Sequence, residues 1–159
     1  MTQPIPEGHE GLIPHLICDP CAEAIEFYKQ AFGAEETTRM PGPDGKRIMH
    51  AAILIDRRPL FLNDDFPEMS PEGKECSPKA LGGSPVTVHR YVENVDAAAQ
   101  RAIDAGATVV MPVEDCFWGD RYGILKDPFG HNWSLATHIS DPTPEEMAAA
   151  MQEMGEPGG

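Results

Sequence analysis

The chain has 159 residues, 26 acidic against 12 basic, for a formal net charge of −14. That length suits one domain, or two small modules sharing a core that buries roughly 68–70% of the unfolded surface. The charge repels phosphate backbones and anionic lipid headgroups, no run reaches the ~18–20 apolar residues of a membrane span, and the start MTQPIPEGHEG lacks a secretory signal's basic and apolar regions. Nucleic acid and membrane are therefore excluded as partners, and a cytoplasmic location is expected.

Residues 1–9, with Pro4, Pro6 and Gly8, read as an N-terminal arm. A first module spans 10–64. Leu12 to Cys18 is a short strand, Asp19 offers an N-cap with Pro20 at the first helical position, and the helix runs to Phe32 with Ile25, Tyr28 and Phe32 on its apolar face. Gly33 stops it. Strands follow at Glu35–Met40, Arg47–Ile55 and Pro59–Asn63, the last two joined at Asp56-Arg57-Arg58. Residues 65–83, rich in Pro, Ser, Gly and Glu, form a linker loop.

A second module, 84–139, repeats the plan. Val86 to Glu93 alternates as a strand, and Asn94 caps a helix that ends at Gly106. Thr108 to Met111 is a strand ended by Pro112. The aromatic loop Phe117–Tyr122 leads into a hairpin with strands at Tyr122–Leu125 and Trp133–Thr137. Its turn is Asp127-Pro128-Phe129-Gly130, with residue types suited to each turn position. Both halves read strand, helix, Gly-Ala, strand ending Met-Pro, hairpin: an internal repeat. Aligning the Asp56 and Asp127 turns sets Asn63 opposite Ser134. Residues 140–159 form a helical tail that opens with the capping box Thr143-Pro144-Glu145-Glu146. The stripe Met147, Ala150, Met151, Met154 behind it suits packing on the domain or on a second subunit.

Four cysteines are present, and Cys18-Asp-Pro-Cys21 is a C-x-x-C. It lacks the second C-x-x-C or close His pair of a zinc site, so small buried hydrophobes are expected rather than a redox or metal centre. No dinucleotide fingerprint, phosphate loop or G-x-S-x-G elbow occurs.

Along Val86 to Val92, the valines alternate with Thr87, His89 and Tyr91, which places those three on the face away from the helices. His89 is the leading candidate for a site histidine. The repeat offset sets His15 on the opposite face from His89, and His131, after the turn glycine, is expected in solvent. In the aromatic loop, Trp118 suits stacking on a flat ligand, Arg121 a bidentate grip on an anion, and Tyr122 hydrogen-bond donation.

The runs PHLICDPCAEAIEFYKQAFG (residues 14–33), 50–64, 83–107 and FWGDRYGILKDPFGHNWSLATH (117–138) resemble the vicinal oxygen chelate superfamily, which includes glyoxalase I, extradiol dioxygenases, fosfomycin-resistance and bleomycin-resistance proteins. The PhnB-like branch is the nearest in pattern. The resemblance implies an α+β fold of two tandem βαβββ modules, their mixed sheets curled into a cup, in a homodimer. It also implies metal-ligand places at Ser134, beside Asn63, at Thr87 and at Leu12, none of which holds His or Glu. The expectation is a protein that binds a small organic molecule in the cup through Asn63, Thr87, His89, Trp118, Arg121, Tyr122 and Ser134, without a cofactor. The alternative is a metal-dependent lyase, isomerase or dioxygenase with a divalent metal at His50 and His89.

Overall fold

The structure, a computed structural model, describes residues 2–155, so the last four residues of the expected tail lie outside it. Two four-stranded mixed sheets form the frame. β1 (His15–Ile17), β2 (Glu35–Pro41), β3 (Ile48–Ile55) and β4 (Arg58–Asn63) are arranged β1-β4-β3-β2. β5 (Thr87–Tyr91), β6 (Thr108–Asp115), β7 (Asp120–Lys126) and β8 (Asn132–His138) are arranged β5-β8-β7-β6. In each sheet the first strand runs parallel to the fourth and the remaining pairs are antiparallel. The sheets curl without closing. α1 (Cys21–Phe32) follows β1 and α3 (Val95–Ala105) follows β5; short α2 (Pro78–Leu81) lies between the halves and α4 (Pro144–Gly155) after β8. This is the expected α+β architecture of two βαβββ units.

The helix ends follow local chemistry. Gly33 takes the left-handed conformation at φ 67, and the N–H groups of Gly33 and Ala34 reach the Lys29 and Tyr28 carbonyls. Asn94 accepts the Ala97 N–H at 3.0 Å and starts α3. α1 starts differently from expectation. Asp19 does not cap it; Pro20 holds the cap position without a side-chain bond. Asp64, just past β4, accepts the N–H of Cys21 at 2.8 Å and of Ile48 at 2.6 Å. The end of β4 lies beside the β1–α1 turn, so a carboxylate from a neighbouring strand reaches the first helical N–H. Thr137 serves α3 in the same way, accepting the Val95 N–H at 2.8 Å.

Neither half has a core of its own. Strand residues alternate, and those facing the helices join α1 and α3 in one cluster that includes Ile53, Leu62, Leu125, Trp133 and Leu135. α1 packs against α3. Trp133 of β8 lies 4.6 Å from the Phe32 ring and 5.4 Å from the Tyr28 ring of α1. Buried Asp127 accepts from Tyr28 Oη at 2.5 Å and from Trp133 Nε1 at 2.9 Å, so the second half's turn is bonded to the first half's helix.

Three other expectations need correction. β6 runs through Pro112, which stands where the β6–β7 register is irregular; an edge strand tolerates a residue with no N–H. His131 is buried, and its Nε2 donates to the Ile17 carbonyl at 2.8 Å, which ties the β7–β8 turn to β1. Residues 65–83 contain a one-turn 3-10 helix at Pro67–Met69 as well as α2, and Asp65 accepts both the Cys76 and Ser77 N–H at 2.7 Å.

Candidate functional site

The faces of the sheets turned away from the helices carry the polar and aromatic residues. In the second sheet, the β5–β8 register pairs Thr87 with Asn132 and His89 with Ser134, and the β7–β8 register pairs Asp120 with His138 and Tyr122 with Ala136. Period-two alternation puts these residues on one face. His89 Nδ1 is 2.7 Å from Ser134 Oγ. The ring of His89 lies 4.7 Å from that of Tyr91 at 82°, and 6.0 Å from that of Tyr122 at 23°. Trp118 meets Tyr122 edge-on at 5.5 Å. Tyr91 is 61% exposed and Trp118 38%, large values for aromatic side chains.

Asp120 organises this group. Its carboxylate is buried and accepts from Tyr91 Oη at 2.9 Å, Trp118 Nε1 at 3.2 Å and His138 Nδ1 at 2.8 Å. Burial pushes Asp120 up, but the hydrogen bonds from His138, Tyr91 and Trp118 outweigh it and hold the carboxyl below its ordinary value. His138 Nε2 lies 2.9 Å from Asp141. With a carboxylate at each ring nitrogen, both nitrogens donate, which only the imidazolium can do. Hydrogen bonds to Asp120 and Asp141 raise the His138 pKa accordingly. The loop bearing Trp118 is fixed at Gly119, φ +99, whose carbonyl accepts the N–H of Ile139 at 2.8 Å and of Ser140 at 3.0 Å. A Cβ at this position would stand 2.1 Å from the Ser140 carbonyl oxygen.

Beside β5 is a hollow of about 410 Å³, bordered by Leu12, Pro14, Pro59, Val88, His89 and Tyr91. That volume lies in the range of small-molecule sites, roughly 300–1,000 Å³.

The sequence-derived candidates divide into three groups. Thr87, His89, Tyr122 and Ser134 share the open face of the second sheet, with Trp118 against Tyr122. Arg121 alternates to the other face, where its guanidinium is forked onto Asp96 at 2.7 and 2.8 Å and reaches Asp115 at 2.9 Å. Asn63 lies in the first sheet, its Nδ2 on the Asp64 carbonyl at 2.7 Å. The strand register also revises the repeat alignment. His15 pairs with Phe61 as His89 pairs with Ser134, so Phe61, not Asn63, is the counterpart of Ser134. His15 is the counterpart of His89 and shares its own sheet's open face with His50. The His15–His50, His15–Phe61 and His50–Phe61 ring separations are 5.8, 5.9 and 4.8 Å.

Asp120 and His138 were not among the candidates. Their link joins donors from β5, a loop and β8, which only the tertiary fold brings together. Cys18 and Cys21 are free and wholly buried. Burial, then the charge of Asp64, pushes the Cys21 thiol up to about 12, which keeps it protonated and unreactive at neutral pH.

A family model described as Glyoxalase/Bleomycin resistance protein/Dioxygenase superfamily matches residues 13–135. The chain belongs to this superfamily. It is similar to the uncharacterized protein Mb0911c of Mycobacterium bovis, 52% identical over 146 residues that cover 92% of this chain and 95% of that one. The solved structure of the Arabidopsis thaliana gene product At5g48480 is similar at a TM-score of 0.63 and 26% identity, covering 79% of this chain and 97% of that one. The PhnB protein from Bacillus cereus shares the fold at a TM-score of 0.61 and 15% identity, covering 80% and 97%.

Members of the superfamily often hold a divalent metal in the cup. Among the described residues, no group of three or more His, Cys, Asp or Glu is placed to hold one. His50 and His89 lie on different sheets, each within its own aromatic group. The nearest partner of His89 is a hydroxyl, and Asp120 is already engaged by three donors. The donor set does not fit a metal of the superfamily's usual kind. Among the described residues, no helix is long and apolar enough to cross a membrane.

Proposed function

We propose that this superfamily member binds a small organic molecule at the open face of the second sheet and in the adjoining hollow. The observation that carries the proposal is the exposed aromatic group: Tyr91, Trp118, His89 and Tyr122 meet at the sheet surface, with Tyr91 and Trp118 both fixed by one buried carboxylate. Exposed aromatics usually have free torsions. Here two of them are held in place, which lowers the entropy lost when a ligand stacks on them. Thr87, His89 and Ser134 supply polar atoms beside the rings. Asn63 and Arg121 do not belong to this site, because one lies in the first sheet and the other is engaged by two aspartates. A homodimer is part of the same proposal. Met151 and Met154, at 61% and 73% exposed, give α4 an apolar stripe suited to a second subunit.

A thermal-shift screen of small aromatic molecules tests this. A hit is expected to stabilise the native protein, with the shift lost in Trp118→Ala and reduced in His89→Ala. Equal shifts in both variants and the native protein would place the site elsewhere.

A further inference from the structure

The ring geometry and the distribution of charge narrow the class of ligand. By register and alternation, the open face of the second sheet has one Lys or Arg among its strand residues, Lys126, at the end of β7 remote from Asp120. Arg121 faces the other way, and β6 has no basic residue. Acidic groups gather at the aromatic end: Asp120 at the polar edges of the Tyr91 and Trp118 rings, Glu114 opposite Tyr122 in the β6–β7 register, and Asp141 beyond His138. The His138 imidazolium offsets one of these three. The rim of the hollow is balanced by contrast, because Arg90 is forked onto Asp56 at 2.7 and 2.9 Å, and Glu10 and Arg58 contribute one charge of each sign.

The rings add to the field. Tyr91 stands at 82° to His89 and Trp118 at 75° to Tyr122, while His89 and Tyr122 are within 23° of parallel. Ring faces and edges therefore meet in a corner, and π faces are electronegative. A cation over such faces, near the carboxylates at the ring edges, is attracted by both. An anion meets no guanidinium or ammonium at the aromatic end of this face, since Lys126 stands at the far end of β7.

We infer that this site selects planar organic cations over neutral or anionic molecules of the same shape, an inference that rests on the binding site proposed above. Selectivity comes from Asp120 and Glu114 acting on a ligand stacked against Trp118 and Tyr122.

The test is equilibrium dialysis of the full chain against 1-methylquinolinium, quinoline and quinoline-6-carboxylate at neutral pH. The cation is expected to bind at least about five-fold more tightly than quinoline, and the carboxylate more weakly than either. Raising the ionic strength from about 0.02 to about 0.3 M should weaken the cation alone. Asp120→Asn should reduce the cation-to-neutral ratio. Glu114→Gln should do so independently, on an exposed side chain whose replacement leaves the core untouched. If all three bind equally, or the carboxylate binds best, while Trp118→Ala still abolishes binding, charge selection is overturned and the site stands. If none binds, or Trp118→Ala changes nothing, both the selection and the site fall.

Discussion

The two βαβββ halves share a backbone plan and differ in what their open faces carry. At matched positions the first half has His15, His50 and Phe61, and the second has His89, Tyr122 and Ser134. The first set meets ring to ring at 4.8–5.9 Å. The second is tied to Ser134 and stands beside a buried carboxylate that binds three donors. The capping groups under the helices differ in the same way: a carboxylate, Asp64, serves α1, and a hydroxyl, Thr137, serves α3. The strand–helix–hairpin plan thus sets where a side chain can act, and the residue there sets what it can do. One half is a packing surface and the other a polar network.

The comparison breaks most sharply at the seam between the halves. Trp133→Ala removes the ring that packs on Tyr28 and Phe32 and a donor to Asp127. The expected loss is about 3–5 kcal/mol in urea unfolding, as one cooperative transition. Two separate transitions would mean that the halves fold independently.

A smaller effect separates the caps. Asp64→Ala strips a charged acceptor from two N–H groups and should cost about 2–3 kcal/mol. Thr137→Ala removes a neutral cap and should cost about 1 kcal/mol. Equal losses in the same unfolding assay would remove the distinction between carboxylate and hydroxyl.

The smallest effect depends on pH and belongs to the second half alone. Hydrogen bonds to Asp120 and Asp141 raise the folded pKa of His138. Its contribution is therefore fully present below the ordinary imidazole value of about 6.5, and is lost as pH rises through the higher folded value. The melting-temperature gap between native protein and His138→Gln should be widest below about pH 6.5 and narrow above it. A gap constant from acid to alkaline pH would show that the ring acts only by packing.

Much of this architecture is legible in local chemistry. Gly33 and Gly106 end their helices where a turn residue must, Asn94 caps α3 with its own side chain, and the order of elements in the two halves reveals the repeat. What is not legible depends on distant partners. Nothing near Asp19 indicates that Asp64 will cap α1. Pro112 argues against a strand until β6 is known to lie at an edge. The burial of His131 needs the Ile17 carbonyl, which comes from the other half. For the site, alternation along β5 was enough to bring Thr87, His89 and Tyr91 to one face. The residue that fixes the aromatic group, Asp120, reads by sequence as a neighbour for Arg121, yet the two point to opposite sides of β7.

Gly119 ties the loop of Trp118 to the chain leaving β8, because a single carbonyl receives the N–H of both Ile139 and Ser140 and leaves no space for a side chain. A displacement of Ile139 or Ser140 therefore acts on the backbone next to Trp118. For anyone engineering this protein, its carboxyl-terminal side is not a neutral attachment point: a fusion joined close after β8 would act as a lever on Trp118, and the same two hydrogen bonds offer a mechanical handle for tuning it.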